Sequence, residues 1–295
     1  MAQQINLYII KMKIGIFLSC YNNEDTIQEC IDSILRQSCL DFNLYIFDDN
    51  SKDTTVEKIK KNKDKKIKLI CSEKNIGTYA SKNFLFQEYG HMHEYIALHD
   101  SDDISISNRL EEQLAFLKNS CDKTACCGTN IIEFWQEDYL PHTVSSEIIN
   151  KKSRKNFYPD ELDKSVLKDV VDYLTKEGFY QKYMKTKFCM NGSLMFKSKI
   201  LQELGGWDGK THIAADTDII LRTLAKYRIF NLQKFLYKRR FSNTSLTGSA
   251  KVGVSSEIRK QYNLKRVSIA KSALEGKVLK QNFYFPNFNY KCVQL

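Results

Sequence analysis

Short apolar runs and helix-like patterns alternate along the first half of the chain. Residues 13–19 form a β-rich apolar run that leads into polar residues, which is typical of a buried strand in a parallel sheet. Apolar residues then recur at helical spacing over residues 27–35, preceded by Glu24 and Asp25, where the start of a helix favours negative charge. The pattern predicts a strand followed by a helix.

The same alternation continues as far as residue 134. The predicted strands are at residues 44–47, 67–71, 95–98 and 125–134, and the predicted helices follow Asp53, span residues 78–90 and carry Leu110, Leu114 and Leu117. Strands and helices that alternate through short connections build a mostly parallel sheet flanked by helices. We therefore predict an α/β fold whose ligands bind at the carboxyl ends of the strands.

The pattern is weaker in the second half of the chain. Residues 137–187 contain one clear helical pattern, over residues 162–174, within a Lys-rich stretch, and we interpret them as an insertion that covers the site. A strand is predicted at residues 191–196 and a helix at residues 216–227. The segment Gly205-Gly206-Trp207-Asp208 between them is typical of a tight turn.

Length and composition indicate one elaborated globular domain. The chain has 295 residues, of which 42% are hydrophobic and 12% aromatic, unlike intrinsically disordered chains. We place the domain at residues 13–240, after an extension at residues 1–12 and before a basic region at residues 241–295. The nine cysteines form no C-x-x-C pair, and their odd number argues against a disulfide framework.

The expected location follows from the cysteines, the start of the chain and the distribution of charge. Apolar residues 7–10 are too few to span a membrane and lack a signal peptide's cleavage site, so we expect a cytoplasmic protein. The net charge is +10, and residues 237–295 supply all of the excess, with twelve Lys or Arg against two Asp or Glu. Such a region can face phosphates, a membrane surface or nucleic acid, or form a solvated face. Peripheral membrane contact stays open, while nucleic acid is not the partner we expect.

Three predicted strands end in polar clusters. These are Ser19-Cys20-Tyr21-Asn22, Asp48-Asp49-Asn50-Ser51 and Asp100-Ser101-Asp102-Asp103. Since the carboxyl ends of parallel strands lie side by side, we expect one site. The three carboxylates of the last cluster repel each other unless a cation offsets them, and oxygen ligands suit Mg²⁺ or Mn²⁺ together with substrate phosphates. Turns with helix-capping aspartates are the alternative for both acidic clusters.

Together the clusters resemble the GT-A-fold inverting glycosyltransferases of family 2, over roughly residues 13–240. This resemblance implies a Rossmann-like nucleotide-diphospho-sugar transferase fold. It also implies that Ser19 contacts the nucleoside and that Tyr21 stacks on the uracil base, with simple packing as the alternative for Tyr21. The segment from Asp48 to Asp53 is similar to the family's Asp-Asp-x-Ser-x-Asp, which implies that Asp49 accepts a hydrogen bond from uracil.

The resemblance extends to the groups that hold the donor diphosphate. Lys82 stands where the family usually has an Arg and would neutralise phosphate, although an exposed helix lysine is the alternative. The cluster Asp100-Ser101-Asp102-Asp103 is similar to the D-x-D motif, which implies Asp102 and then Asp103 as ligands of Mn²⁺ or Mg²⁺. By the same resemblance, Asp100 orients the ribose or the metal shell and Ser101 contacts the donor.

The acceptor side resembles the family's Gly-Gly-aromatic-Asp segment and a following Glu-Asp pair. Ala215 replaces the Glu, and Asp216 keeps the position of the Asp, which implies that Asp216 deprotonates the acceptor hydroxyl. Asp218 is a second candidate, or simply a helix N-terminal aspartate. Trp207 would stack on a sugar, or pack in the core, and Asp208 would bind an acceptor hydroxyl.

A late basic pair completes the comparison. Family members often have a metal-binding His near this segment, but no His follows His212 here, and we assign Arg239 and Arg240 to the donor diphosphate. We thus predict a metal-dependent hexosyltransferase that moves a sugar from a UDP-sugar to a hydroxyl of a glycan, lipid-linked sugar or protein. A nucleotidyltransferase lacks support because no Gly-rich, Lys-bearing phosphate loop follows the first strand. A non-catalytic nucleotide- or nucleic-acid-binding protein of the same fold is the other alternative.

Overall fold

One large mixed sheet forms the centre of the molecule. The computed structural model describes residues 13–135, 153–156, 160–174, 189–211, 213, 215–241 and 257–295. The strands are β1 (Ile14–Cys20), β2 (Phe42–Asp48), β3 (Ile67–Ser72), β4 (Tyr95–Asp100), β5 (Ile104–Ser105), β6 (Thr124–Trp135), β7 (Ser153–Asn156), β8 (Glu161–Leu162), β9 (Met195–Lys197), β10 (Arg228–Phe241) and β11 (Tyr290–Gln294). The helices are α1 (Ile27–Leu35), α2 (Thr55–Lys60), α3 (Thr78–Tyr89), α4 (Arg109–Asn119), α5 (Lys164–Leu174), α6 (Ser198–Leu204), α7 (Ala215–Leu224) and α8 (Glu257–Leu274).

The strand order is β11-β3-β2-β1-β4-β9-β6-β10-β5, with β7 beside β6 and β8 beside β10. The four strands β3, β2, β1 and β4 are parallel, as the sequence predicts. Strand β9 runs antiparallel to both β4 and β6, and β11 runs antiparallel to β3. The parallel prediction therefore holds for the half of the sheet that carries the polar clusters, and the α/β fold is confirmed.

Two hydrophobic cores lie on opposite faces of the sheet because side chains alternate along a strand. On β1, Ile14, Ile16 and Leu18 pack with α1, α2 and α4, whereas Phe17 packs in the core that contains residues of α3 and α5 to α8. Burial on both faces explains the almost continuous apolar sequence of β1. The core holds the carboxyl ends of β1, β2 and β4 at one edge.

Several predicted boundaries shift for local reasons. The helix predicted over residues 162–174 begins at Lys164, because the Asp163 carboxylate accepts the backbone N–H of Ser165 at 2.8 Å and Leu162 pairs with β10. The strand predicted from residue 191 is wrong at its start, where Asn191–Ser193 forms a 3₁₀ turn before β9. Most of the predicted insertion at residues 137–187 lies outside the described residues.

The predicted C-terminal basic region contributes a helix and a strand to the fold in the part that the structure describes. Helix α8 packs against α5 and α7, and β11 extends the sheet beside β3. Between them, Phe285, Phe288 and Tyr290 surround the ring of Phe84 at centroid distances of 5.5, 5.1 and 4.9 Å. No helix within the described residues is long and apolar enough to cross a membrane.

Candidate active site

The loops that follow β1, β2 and β4 meet in one crevice. The backbone N–H of Asn22 donates to the Ser51 hydroxyl at 2.9 Å, which joins the first two loops. The Ser101 hydroxyl donates to the side-chain oxygen of Asn23 at 2.8 Å, which joins the first loop to the acidic cluster. Ser19 lies between the other two strand ends, since it pairs with Phe47 on one side and Asp100 on the other. The structure thus brings the three predicted clusters together.

The residues assigned to the nucleoside lie on the β1 and β2 side of this crevice. The Tyr21 side chain is 47% exposed, so its ring is available for stacking, and Ser19 is half-buried. Asp49 is buried and accepts the backbone N–H groups of Ile76 at 2.7 Å and Gly77 at 2.9 Å. Two backbone N–H donors thus fix the orientation of this carboxylate. The assigned roles of these residues stay predictions.

Lys82 is buried, which rules out the exposed-lysine alternative in this arrangement. Its side chain is 2% exposed, and its Nζ lies 3.5 Å from Oδ1 of Asp100, whose side chain is 31% exposed. A buried ammonium is costly unless it is paired, and Asp100 supplies the partner. The pair places a cation beside the acidic cluster.

The acidic cluster concentrates negative charge in a desolvated place. Burial and then the Asp100 charge raise the pKa of Asp102 to about 6. Burial and then the charges of Asp102 and Asp100 raise the pKa of Asp103 well above its ordinary value. A nearby cation favours the ionised form of both groups and would lower both pKa values.

Only one carboxylate of the cluster is well placed for a metal ion. No group of three or more His, Cys, Asp or Glu side chains within the described residues could hold a metal by itself. Asp103 is buried and its Oδ1 accepts the backbone N–H of Arg240 at 2.8 Å, and its assignment as a ligand stays a prediction. Asp102 is partly exposed, and one carboxylate plus a substrate diphosphate fits the usual Mg²⁺ arrangement.

The late basic pair also differs from its prediction. The Nε of Arg240 donates to the carbonyl oxygen of Asp102 at 2.9 Å, and its Nη2 forms an ion pair with Glu29. Because its guanidinium is engaged and its side chain is only 11% exposed, Arg240 does not reach toward a diphosphate in this structure. Arg239 lies 3.5 Å from Glu133, and its charge still acts on Asp102. For Arg239 the diphosphate assignment stays a prediction.

A buried polar layer supports the acidic cluster from below. The Nδ1 of His99 lies 2.8 Å from the carbonyl oxygen of Asp100, and its Nε2 lies 2.9 Å from the Ser105 hydroxyl. Burial and then the Arg109 charge lower the pKa of His99 to about 3, so the ring is neutral. The Tyr237 hydroxyl accepts the backbone N–H of Asp100 at 3.2 Å. These side chains fix the backbone that carries the cluster.

Arg109 and Tyr237 are supporting residues that the sequence analysis missed. Arg109 is buried, donates to the Ser105 hydroxyl at 3.0 Å, and places its guanidinium 4.9 Å from the Tyr237 ring centre. A signal was available, because Arg109 precedes Leu110 on the buried face of α4, where a charged residue requires an explanation. Tyr237 carried no comparable signal, since β10 was not predicted.

Asp216 and Asp218 have different surroundings at the start of α7. Asp216 is half-buried and accepts the backbone N–H of Thr217 at 2.8 Å. Asp218 is buried and paired with Arg222, whose Nη2 lies 2.7 Å from Oδ2. Arg222 also donates to the carbonyl oxygens of Leu204 and Gly206. Asp218 therefore holds the preceding turn in place, and Asp216 remains the candidate base.

The two residues assigned to the acceptor are both buried. The ring of Trp207 is fully buried, so it cannot stack on a sugar in this arrangement, and the packing alternative holds. The side-chain amide of Asn83 bonds to both the N–H and the carbonyl of Trp207, each at 2.9 Å. Asp208 is buried and forms an ion pair with Lys265 of α8, and its assignment to an acceptor hydroxyl stays a prediction.

Sequence comparisons identify relatives of the whole domain. Residues 16–205 match the family described as glycosyl transferase family 2. An uncharacterised glycosyltransferase of Methanocaldococcus jannaschii is 31% identical over 238 residues, which cover 79% of this chain and 72% of that protein. A UDP-Glc:alpha-D-GlcNAc-diphosphoundecaprenol beta-1,3-glucosyltransferase of Escherichia coli is 36% identical over 108 residues, covering 36% of this chain and 42% of that protein.

Solved structures share the fold. TarS 1-349 of S. aureus in complex with UDP-GlcNAc superimposes with a TM-score of 0.61 at 15% identity, covering 89% of this chain and 72% of that chain. The mannosyltransferase PcManGT of Pyrobaculum calidifontis, in complex with GDP-Man and Mn²⁺, gives a TM-score of 0.53 at 13% identity, covering 89% and 74%. The family match spans more than half of the sequence and the GT-A fold agrees with it. The chain is a glycosyltransferase and belongs to glycosyl transferase family 2.

Proposed function

We propose that this glycosyltransferase transfers a hexose from a UDP-sugar to a hydroxyl group of a lipid-linked sugar, with Mn²⁺ or Mg²⁺ as cofactor. One observation carries the donor half of the proposal: the three strand-end clusters meet in one crevice, where Tyr21 and Asp102 are accessible and Lys82 is buried beneath. A lipid-linked acceptor is supported by the specificity of the Escherichia coli glucosyltransferase, which matches 36% of this chain.

The chain's own residues account for the transfer as follows. The Asp216 carboxylate takes the proton of the acceptor hydroxyl while that oxygen attacks the anomeric carbon and the bond from that carbon to the diphosphate oxygen breaks. The electron pair leaves with UDP, so no protein acid is needed to protonate the leaving group. Lys82 offsets part of the charge that develops on the diphosphate, and a divalent cation bound through Asp102 would supply the remainder. Inversion follows from attack on the face opposite to UDP.

A donor panel tests the proposal. Purified protein is incubated with individual UDP-sugars and Mn²⁺, with and without a lipid-diphosphate-linked sugar, and released UDP is measured. We expect at least one donor to be turned over, and the rate to fall by roughly 10²- to 10⁴-fold in Asp216→Asn, the range typical for loss of a general base. Asp122→Asn is the matched control, because Asp122 is an exposed aspartate paired with Lys199, away from the clusters.

The outcomes separate the alternatives. Loss of turnover in Asp216→Asn and Asp102→Asn but not in Asp122→Asn supports the proposed roles. Binding of UDP without turnover of any donor supports a non-catalytic nucleotide-binding protein instead. Turnover that is equal with Mn²⁺ and with EDTA contradicts the metal requirement.

A further inference from the structure

The backbone of the acidic cluster is contacted by residues at α1 and by a residue of β10. On the α1 side, the Thr26 hydroxyl lies 3.3 Å from the carbonyl oxygen of Ser101, and the Cys30 thiol lies 3.6 Å from that of Asp100. On the β10 side, Arg240 contacts the next two residues of the cluster. The cluster is therefore fixed residue by residue, and Arg240 is responsible for the part around Asp102.

Arg240 makes four contacts that together define its orientation. Its backbone N–H donates to Oδ1 of Asp103 at 2.8 Å, and its Nε donates to the carbonyl oxygen of Asp102 at 2.9 Å. Its Nη2 pairs with Glu29 of α1, and its guanidinium carbon lies 4.6 Å from the centre of the Phe134 ring. A planar guanidinium with fixed donor directions can satisfy these partners at once, and a lysine ammonium cannot.

The contacts matter because the other carboxylates of the cluster are engaged elsewhere. Asp100 is paired with Lys82, and Asp103 is bonded to the Arg240 backbone. The partly exposed Asp102 is thus the carboxylate left to meet a cation, and its direction is set by the peptide groups on either side of it. Arg240 bonds on the C-terminal side of Asp102, at the Asp102 carbonyl oxygen and the Asp103 carboxylate, and the Thr26 hydroxyl contacts the Ser101 carbonyl oxygen on the other side.

We propose that Arg240 is a positioning residue that aims the Asp102 carboxylate at the metal–diphosphate group of the donor, and that Glu29 holds the Arg240 side chain in place. The inference rests on the proposed function and assigns Arg240 a different task from diphosphate binding. It also links α1, which follows the loop that carries Tyr21, to the metal side of the crevice through the Glu29–Arg240 pair. The Glu29–Arg240 pair would then stabilise both the nucleoside side and the metal side of the donor site.

The test is UDP binding by calorimetry, once with Mn²⁺ and once with EDTA, on wild type and Arg240→Lys. The substitution keeps the positive charge and removes the planar guanidinium with its fixed donor directions. We expect the Kd for UDP in Mn²⁺ to rise by roughly 10-fold, as is usual when a group that orients a metal ligand is lost. In EDTA we expect the Kd to change by no more than about 2-fold. Glu29→Gln should raise the Kd for UDP in Mn²⁺ by a smaller factor, since it leaves the contacts of Arg240 with Asp102 and Asp103 intact.

Strand β10 offers a matched control at its other end. Arg228 pairs with Glu161 and lies 5.4 Å from the Phe230 ring centre, so it reproduces the Arg–Glu–Phe arrangement away from the acidic cluster. Arg228→Lys should leave UDP binding unchanged in both buffers. Thermal unfolding of each variant shows whether the fold itself is disturbed.

Two results would overturn the inference while leaving the proposed function intact. One is wild-type affinity for UDP in Mn²⁺ in the Arg240→Lys variant. The other is an equal loss with Mn²⁺ and with EDTA, which indicates a general disturbance of the nucleotide site. If the wild type itself binds UDP equally well in Mn²⁺ and EDTA, the metal requirement fails, and this inference fails with it.

Discussion

Asp216 and Asp218 are two positions apart, and they differ in one contact, the ion pair of Asp218 with Arg222. Asp216 and Asp218 both stand in the first turn of α7, where negative charge is favourable. Asp218 is turned into the protein and paired with Arg222, whereas Asp216 remains accessible and is bonded only to its neighbour's backbone N–H in the contacts described above. The sequence offered both as candidates, because neighbours in sequence do not reveal which side a helix buries at its first turn.

Substitutions at Asp218 and Asp216 should have different effects on the free energy of unfolding. Asp218→Ala leaves Arg222 buried without its carboxylate, and we expect the free energy of unfolding to fall by about 3–5 kcal/mol. Asp216→Asn should change it by less than about 1 kcal/mol, because that side chain is half-buried and its described hydrogen bond is to the backbone N–H of Thr217. Urea denaturation measures both values. Equal losses of stability would contradict the assignment of Asp216 to chemistry.

The neutral His99 ring should make stability depend on acidity. Its pKa is about 3 in the folded protein and about 6.5 in an unfolded chain, so below pH 6.5 the unfolded state binds a proton that the folded state does not. The free energy of unfolding should then decrease as pH falls, by up to about 1.4 kcal/mol per pH unit from this group. Denaturation of wild type and His99→Gln between pH 7 and pH 5 checks this.

The His99→Gln variant should lose that part of the slope. His91→Gln is the control, since it replaces a histidine that lies on the surface. An identical slope in all three proteins would show that His99 does not titrate differently in the two states.

At the scale of elements, the parallel βα units were predictable and the later elements were not. Helix α3 was predicted almost to the residue, because Gly77 and Gly90 flank its apolar pattern. Strand β10 is half-exposed and rich in charged residues, so its period-2 pattern is obscured although its 14 residues complete the site. Trp207 and Asp208 were assigned to the acceptor from a sequence motif. In the structure Trp207 is packed in the core and Asp208 is buried in an ion pair with Lys265.

The Gly205–Gly206 turn should tolerate no side chain at Gly206. Its φ is +71°, and a Cβ there would lie 2.3 Å from the side-chain oxygen of Asn83 and 2.6 Å from the Phe283 ring. Gly276 has a similar φ of +75° with nothing within 4 Å of the Cβ position, so it isolates the backbone cost. We expect Gly276→Ala to cost about 1–2 kcal/mol and Gly206→Ala clearly more. Thermal unfolding of both variants gives the comparison.

At the scale of the whole molecule, the last 39 described residues join parts that are distant in sequence. Backbone N–H groups of Gln281 and Phe283 bond to the carbonyls of Leu204 and Gly205, so the C-terminal segment lies directly on the turn that leads to Asp216. The charge count indicated a basic surface in this region, but composition could not show that Phe283, Phe285 and Phe288 pack in or against the core. Long-range contacts of this kind leave no local signal in a sequence.

Substitutions of two adjacent aromatic residues, Phe283 and Tyr284, test whether the C-terminal segment unfolds together with the rest of the fold. Phe283 is buried and stacks on Phe86 at a centroid distance of 5.0 Å, whereas the next residue, Tyr284, is largely exposed. We expect Phe283→Ala to lower the free energy of unfolding by about 3–5 kcal/mol. Tyr284→Ala should change it by less than about 1 kcal/mol. Similar values for both, measured by denaturant titration, would mean that the C-terminal segment is not part of the cooperative fold.

The register of β10 has a consequence for how the gene can vary in length. Irregularities in its pairing with β6 fall between Leu232 and Tyr237, immediately before the residues that contact the acidic cluster. Since consecutive strand residues point to opposite faces, one inserted or deleted codon between Tyr237 and Arg240 would move Arg240 to the other face relative to Tyr237, so their two contacts with the acidic cluster could not form together. Indels between residues 237 and 241 should therefore be eliminated by selection, while length changes before the bulges can be absorbed by them.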